Sequence, residues 1–255
     1  MYMVLNNYQM INLPDTIKRI GFLGDEHGNL KHIRYIINSY HLTDTVLFLC
    51  GDVGLGFQPK WERSIIDYIN KKLVITNCYV IGVRGNHDDP SQFQDTELVK
   101  ANGNPRNWLN VPDYTVVNVC NKNILCVGGA TSIDRKYRLA NGWGYWENES
   151  PIYKPKLEEY IDIIVTHSAP SFCFPQIKSD IVYEYAKYDE TLLDDISKER
   201  IVFNKIYEDY KDTITDWFYG HYHQSHLEQI NGINFRLLNI EEFCEYRTTD
   251  NYNIL

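Results

Sequence analysis

Seven side chains able to bind metal stand just beyond apolar runs scattered along this 255-residue chain: Asp25, His27, Asp52, Asn86, His167, His221 and His223. The runs that precede them are 20–23, 46–50, 80–83, 161–166 and 217–219. An apolar run closed by a turn and a polar cluster reads as a buried strand handing over to a functional loop. Taken singly, Asp25, Asp52, Asn86 or His167 could be a turn or capping residue. Five strand ends that all carry Asp, Asn or His are better explained by one metal site at the edge of a sheet. Oxygen donors mixed with imidazoles suit divalent transition metals. Alternate residues of an extended segment point the same way, so Asp25 and His27 should reach one ion, and His221 and His223 should converge likewise. Asp52 is then the natural bridge between two ions. Two divalent cations against two aspartates leave such a site electropositive, fit for a phosphoryl oxygen.

The elements that must position these groups follow a strand and helix rhythm. Residues 1–16 read as a lead-in with edge-strand character, and 17–23 as the first full strand. A helix is expected over 30–40, with Leu30, Ile33, Ile36 and Ile37 at helical spacing and Asn29 as its N-cap. After the second strand, a glycine-rich loop leads to a helix over 61–71 that buries Trp61, Ile65, Ile66 and Ile69. Strands alternating with helices predict a mostly parallel sheet. Runs 114–120 and 124–127 read as a hairpin. Segment 128–155, dense in aromatics and arginine, reads as a long functional loop. Segment 168–189 is a candidate cap, with its tyrosines at 183–188 expected as a helix packing stripe. A helix over 190–210 is expected to bury Leu192, Leu193, Ile196, Ile201, Phe203 and Ile206, and strands 217–219, 226–230 and 233–238 follow. No repeat or linker interrupts the chain, so a single domain over 1–255 is expected, with 248–255 fraying.

Composition narrows the function. Hydrophobic residues are 44%, charged residues 23% and the net charge is −9. An acidic chain lacks the basic surface that long nucleic acids require, so none is expected as a partner. No apolar stretch reaches the roughly 18 residues of a membrane span, and residues 1–13 lack a signal peptide's pattern. The cytoplasm is the default location, and the six cysteines, with no CxxC among them, read as thiols. Guanidinium forks at Arg135 and Arg138 could clamp a substrate phosphate, or instead pair with Glu147 or Glu149. Trp143, Tyr145 and Trp146 could stack on a base, although packing against the body is the plainer role. His32, His41 and His226 are expected to be structural or on the surface.

The series Gly24-Asp25-x-His27-Gly28, Gly51-Asp52, Gly85-Asn86-His87-Asp88, His167 and Gly220-His221-x-His223 resembles the calcineurin-like metallophosphoesterases, with every motif in the family's order. The resemblance implies an α/β fold: a four-layer-like sandwich of two mixed β-sheets flanked by α-helices. It implies one metal on Asp25, His27, His223 and the bridging Asp52, and a second on Asp52, Asn86, His167 and His221. Mn²⁺, Fe or Zn²⁺ would suit these donors. It further implies that a metal-bridging hydroxide attacks phosphorus, with His87 protonating or stabilising the departing oxygen and Asp88 holding the tautomer of His87. Phosphoprotein is not the expected substrate. Val53-Gly54-Leu55-Gly56 and Asp88 stand where the protein Ser/Thr phosphatase branch has Asp-Arg-Gly and Glu. The run 128–135 with Trp143 and Trp146 is similar to a bacterial and phage metallophosphatase subgroup. A small phosphate ester or nucleotide, monoester or diester, is the expected substrate. The alternatives are a nuclease of the same superfamily and a non-catalytic metal-binding module, which would be expected to have lost Asp52 or His87.

Overall fold

The computed structural model describes residues 8–98, 100–101 and 104–246. The chain runs β1 (Gln9–Asn12), β2 (Arg19–Leu23), α1 (Lys31–Ser39), β3 (Thr45–Cys50), α2 (Pro59–Thr76) and β4 (Tyr79–Val83). A two-residue pair, β5 (Lys100–Ala101) and β6 (Asn104–Pro105), precedes β7 (Trp108–Asn110) and the hairpin β8 (Thr115–Val119) and β9 (Lys122–Val127). Then come α3 (Arg135–Asn141), β10 (Ile163–Thr166), α4 (Asp180–Ala186) and α5 (Leu192–Tyr210). The last described strands are β11 (Asp216–Tyr219), β12 (His226–Ile230), β13 (Ile233–Leu237) and β14 (Phe243–Glu245).

Two mixed sheets form, one of seven strands in the order β1-β8-β9-β10-β11-β13-β12 and one of five in the order β14-β2-β3-β4-β7. Alternation along each strand decides the layers. Phe22, Val46, Phe48, Cys50, Ile81 and Val83 of the smaller sheet meet Val117, Ile124, Cys126, Ile163, Val165 and Phe218 of the larger in one core between the sheets. The alternate residues Leu23, Leu47, Leu49 and Val80 pack outward on Ile33, Ile36 and Ile37 of α1 and Ile66, Ile69 and Leu73 of α2. Across the molecule, Leu125, Ile164, Trp217 and Phe235 receive Phe203, Ile206, Tyr207 and Tyr210 of α5. Strands buried on both faces read as nearly continuous apolar runs, which is why they stand out in the sequence. The result is the helix, sheet, sheet, helix sandwich that the resemblance implies.

β2, β3 and β4 are adjacent and parallel, as are β9, β10 and β11. Open parallel sheets bind ligands beyond the carboxyl ends of their strands. Asp25, Asp52 and Asn86 follow the first set, and His167, His221 and His223 follow the second.

Several expectations need correction. Helix α1 begins at Lys31 with no side-chain cap. The Asn29 amide instead donates to Glu241 at 2.7 Å, a tertiary contact that takes it from the helix end. Helix α2 is longer than expected, with Pro59 at its start, where a missing N–H costs nothing. Its buried face is Glu62, Ile66, Ile69 and Leu73, whereas Trp61 is 45% exposed. The segments 128–155 and 168–189 contain α3 and α4, too short for a strong periodic signal. No residue of α4 is buried, and Tyr183 and Tyr188 are exposed, so these tyrosines are not a packing stripe. Ile201 of α5 also faces solvent. Strands β7 and β14 give no signal in the sequence because they are only three residues long. β1 does lie at a sheet edge, parallel to β8. Residues 1–7 of the lead-in and the 248–255 tail lie outside the described residues. Among the described residues no helix is long and apolar enough to cross a membrane, and all six cysteines are free.

The rings of Phe22 and Phe218 stack with centroids 3.6 Å apart, pinning one sheet to the other. Phe218→Ala should lower the unfolding free energy by about 3–5 kcal/mol, the usual cost of emptying a buried aromatic site. A urea titration should show this as a lower midpoint at unchanged slope.

Candidate metal centre

The turns after β2, β3 and β11 bring Asp25, His27, Asp52 and His223 together. One ligand atom from each lies within 4.8 Å of the others. Asp25 and Asp52 are buried, while His27 is partly and His223 largely open to solvent. The Nε2 atoms of His27 and His223 face each other at 3.0 Å, and Nε2 of His223 is 3.2 Å from Oδ2 of Asp25. Extended alternation does not produce this convergence. His27, Asp52, His221 and His223 all have left-handed backbones, with φ of +42°, +43°, +72° and +51°. Non-glycine residues adopt this conformation at a cost of roughly 1–3 kcal/mol each when strained, and such costs gather at functional sites. Two glycines make room for the carboxylates. A Cβ on Gly85 would fall 2.0 Å from Oδ1 of Asp52, and one on Gly220 would fall 2.1 Å from Oδ1 of Asp25.

The remaining three residues lie beside this group. His167 is fully buried and its Nδ1 donates to the carbonyl of Cys50 at 2.9 Å. Its Nε2 therefore faces Oδ1 of Asn86 at 3.0 Å and Oδ1 of Asp52 at 3.2 Å. The His221 ring stands edge-on to that of His167 at 4.9 Å. Backbone N–H groups complete the carboxylates: His221 donates to Asp25 and His87 donates to Asp52 at 2.8 Å. Burial opposes a charge on His167, but Asp52 outweighs it and pushes the imidazole up to about 10. Burial keeps His221 well below the ordinary histidine value, and the charge of His167 adds to this. Buried carboxylates ringed by imidazoles and an amide oxygen form a donor set that fits divalent metal ions. Asp52 lies where the two groups of donors meet.

The residues expected around the chemistry divide differently from the sequence reading. His87 lies at the centre, its ring 5.0 Å from that of His27. Burial, with help from the positive Arg138, holds it down at about 4 against the pull of Asp52. Arg138 is buried, and its Nη2 contacts both nitrogens of the His87 ring, Nε2 at 2.7 Å. Asp134 and the carbonyl of Gly144 anchor the same guanidinium. Arg135 is not at the site. Asp189, Thr191 and Asp195 bind its guanidinium and commit it to the start of α5. Asp88 does not hold His87. Its carboxylate accepts from the backbone N–H groups of Val53, Gly54, Leu55 and Gly85, stitching the loops after β3 and β4 together. Burial, then the charge of Asp52, pushes this carboxyl up to about 6 against those donors.

Sequence reading does not find Ser132 or the role of Glu149. The Asn86 amide donates to Oγ of Ser132 at 2.9 Å, which donates to Glu149 at 2.6 Å, and the Ser132 N–H donates to the same carboxylate. Asn86 is thereby turned with its oxygen toward His167. Glu149, a candidate partner of Arg135 or Arg138, pairs with neither. The run 128–135 is the only signal of this support. His32 binds Glu26 at 3.1 Å, and His226 packs on Phe174, both structural. Trp146 lies edge-on to Phe57, and Trp143 to Tyr137.

The family model of the calcineurin-like phosphoesterases matches residues 18–237. The chain belongs to that family, whose members are hydrolases of phosphate esters that use divalent metals. No curated protein matches it in sequence. Among solved structures it is similar to an archaeal phosphodiesterase, at 12% identity over 92% of this chain and 98% of that one, TM-score 0.42. It is also similar to a phosphopantetheinyl hydrolase from Mycobacterium tuberculosis, at 14% identity over 88% and 90%, TM-score 0.38. A putative 5'-nucleotidase from Staphylococcus aureus matches at 10% identity over 93% of this chain and 53% of that one, TM-score 0.45.

Two consequences can be measured. Asp88→Ala would strand four buried N–H donors, and at roughly 1–3 kcal/mol for each unsatisfied group the protein should lose at least about 4 kcal/mol in a denaturant titration. Burial pushes Glu149 from the usual 4.5 up to about 7, against the two Ser132 donors. A raised carboxyl contributes stability that is present below the unfolded value and lost as pH rises through the folded one. Between about pH 5 and 8, therefore, the melting temperature of the wild type should fall relative to that of Glu149→Gln.

Proposed function

We propose that this protein hydrolyses a small phosphate ester at a centre of two divalent ions. The observation that carries this reading is the gathering of Asp25, His27, Asp52 and His223 donor atoms within 4.8 Å, with Asn86 and His167 against Asp52. Asp25, His27, Asp52 and His223 would hold one ion, and Asp52, Asn86, His167 and His221 the other. Mn²⁺, Fe and Zn²⁺ all suit this mixture of oxygen and imidazole donors. When bound, the ions would polarise a phosphoryl oxygen and make water a stronger nucleophile at neutral pH.

The chain's own groups do the rest. The Nδ1 of His167 is engaged by the carbonyl of Cys50, and Ser132 orients the Asn86 amide, so neither side chain must reorganise on binding. His87 stands beside the cluster without belonging to it, and as a ring that burial and Arg138 keep neutral it is in position to stabilise a departing oxygen by hydrogen bonding. Arg138 sets a fixed positive charge against His87, where it would meet phosphate oxygens and hold the ring in place. The substrate in this reading is a small phosphate ester or nucleotide, and six free thiols fit a cytoplasmic setting.

Manganese-reconstituted protein assayed on an aryl phosphate and an aryl phosphodiester tests the assignment. His87→Ala should lower kcat by about 100- to 1,000-fold, the usual cost of removing one group that stabilises developing charge, with metal stoichiometry as in the wild type. Asp52→Asn should abolish turnover and weaken metal binding. Full activity in both variants overturns the assignment.

A further inference from the structure

Two hollows reach the centre and share His87 as a lining residue. The larger, about 660 Å³, has Asp52, Asn86, His87 and His223 among its lining residues and is walled by residues of α4, α5 and the segment before α4. Ile177, Ile181, Val182, Tyr185 and Ile196 make those walls largely apolar. The smaller, about 520 Å³, opens past His27 and His87 toward Phe57 and Trp61. His87 lines both, and the His27 ring lies 5.0 Å from the rings of both His87 and His223. The metal-ligating cluster therefore sits at the junction of the two spaces.

Each hollow presents exposed apolar groups. Phe57 is 47% and Trp61 45% exposed on one side, Ile177 82% and Ile181 52% on the other. Apolar walls converging on a polar centre are the usual form of a small-molecule site, and exposed apolar surface calls for an apolar partner. Beneath Phe57 and Trp61, Gly28 and Gly54 bring two backbones together, since a Cβ on Gly54 would fall 2.2 Å from the nitrogen of Gly28. Glu62, which also lines this hollow, is buried, and its oxygens accept from the N–H groups of Gly56 and Gln58. A bare backbone floor beside two aromatic rings suits a flat ring. A monoester bound at the junction has a single organic arm and would leave one hollow to water.

Resting on the phosphoesterase reading of the centre, we propose that the substrate is a phosphodiester with two organic arms. An apolar arm lies under α4 and α5, and an aromatic arm lies against Phe57 and Trp61. Hydrolysis joins the oxygen of water to phosphorus and breaks one ester P–O bond. The electron pair of that bond leaves with the alcohol oxygen, which takes up a proton, and the other arm stays on the monoester product.

The test compares kcat/KM for bis(4-nitrophenyl) phosphate and 4-nitrophenyl phosphate on manganese-loaded wild type, Trp61→Ala and Ile181→Asp. Both substituted positions are exposed, so the variants keep the fold. The wild type should prefer the diester, and each variant should lower the diester to monoester ratio about tenfold, chiefly through the KM for the diester. Failure to hydrolyse either ester overturns the phosphoesterase reading itself. Preference for the monoester, or a ratio that neither variant moves, overturns the two-arm proposal and leaves the phosphoesterase reading standing.

Discussion

Two carboxylates, Asp25 and Asp52, are buried with ligand atoms within 4.8 Å of each other, and much of the surrounding structure answers their charge. Like charges drawn from water into the interior are costly unless donors or cations face them. Here the N–H groups of His221 and His87 donate to the two carboxylates, and the imidazoles of His167 and His223 stand 3.2 Å from their oxygens. Left-handed backbone at four residues of the centre bends the turns inward, and Gly85 and Gly220 leave space for the carboxylates to nest. Glycine at those two positions is a steric requirement, because any Cβ would overlap a carboxylate oxygen.

The strain in these turns is tolerable because the frame beneath them is rigid. Two sheets share one apolar core and end their parallel strands at a common edge. Asp88 binds the loop after β3 to the loop after β4 through four backbone N–H groups, so Asp52 and Asn86 are carried on a single stitched unit. Short helices then supply the outer parts. α3 carries Arg138 to His87, and α4 with the segment before it forms one wall of the larger hollow. Neither helix has a wide buried face. The position of α3 depends on polar anchors, Arg138 against His87 and Arg135 bound to the start of α5.

Legibility in the sequence tracks burial. Strands β2, β3, β4, β10 and β11 are apolar on both faces, so the polar residues that follow them stand out from the amino-acid order alone as a site. Trp61 shows the limit of the same logic. A large apolar residue at helical spacing resembles core, yet it lies on the exposed side of α2, where periodicity alone cannot separate a packing face from a binding wall. Asp88 shows another. Its place beside His87 in the chain suggests a role on that ring, but the tight turn aims its carboxylate at Val53, Gly54 and Leu55.

By itself the amino-acid order determined the alternation of strands and helices and pointed to the seven candidate ligands, because both are written in local patterns of apolar runs and the residues that end them. The two-sheet sandwich was legible only through the resemblance of the motifs to a known family. Only the tertiary structure decided which arginine meets His87, what turns Asn86 toward His167, and that two hollows open from one centre. Those outcomes depend on side chains far apart in the chain: Arg138 and His87, Ser132 and Asn86, Trp61 and His27. Their meeting is set by how strands and helices pack in three dimensions, and spacing along the chain carries no record of it.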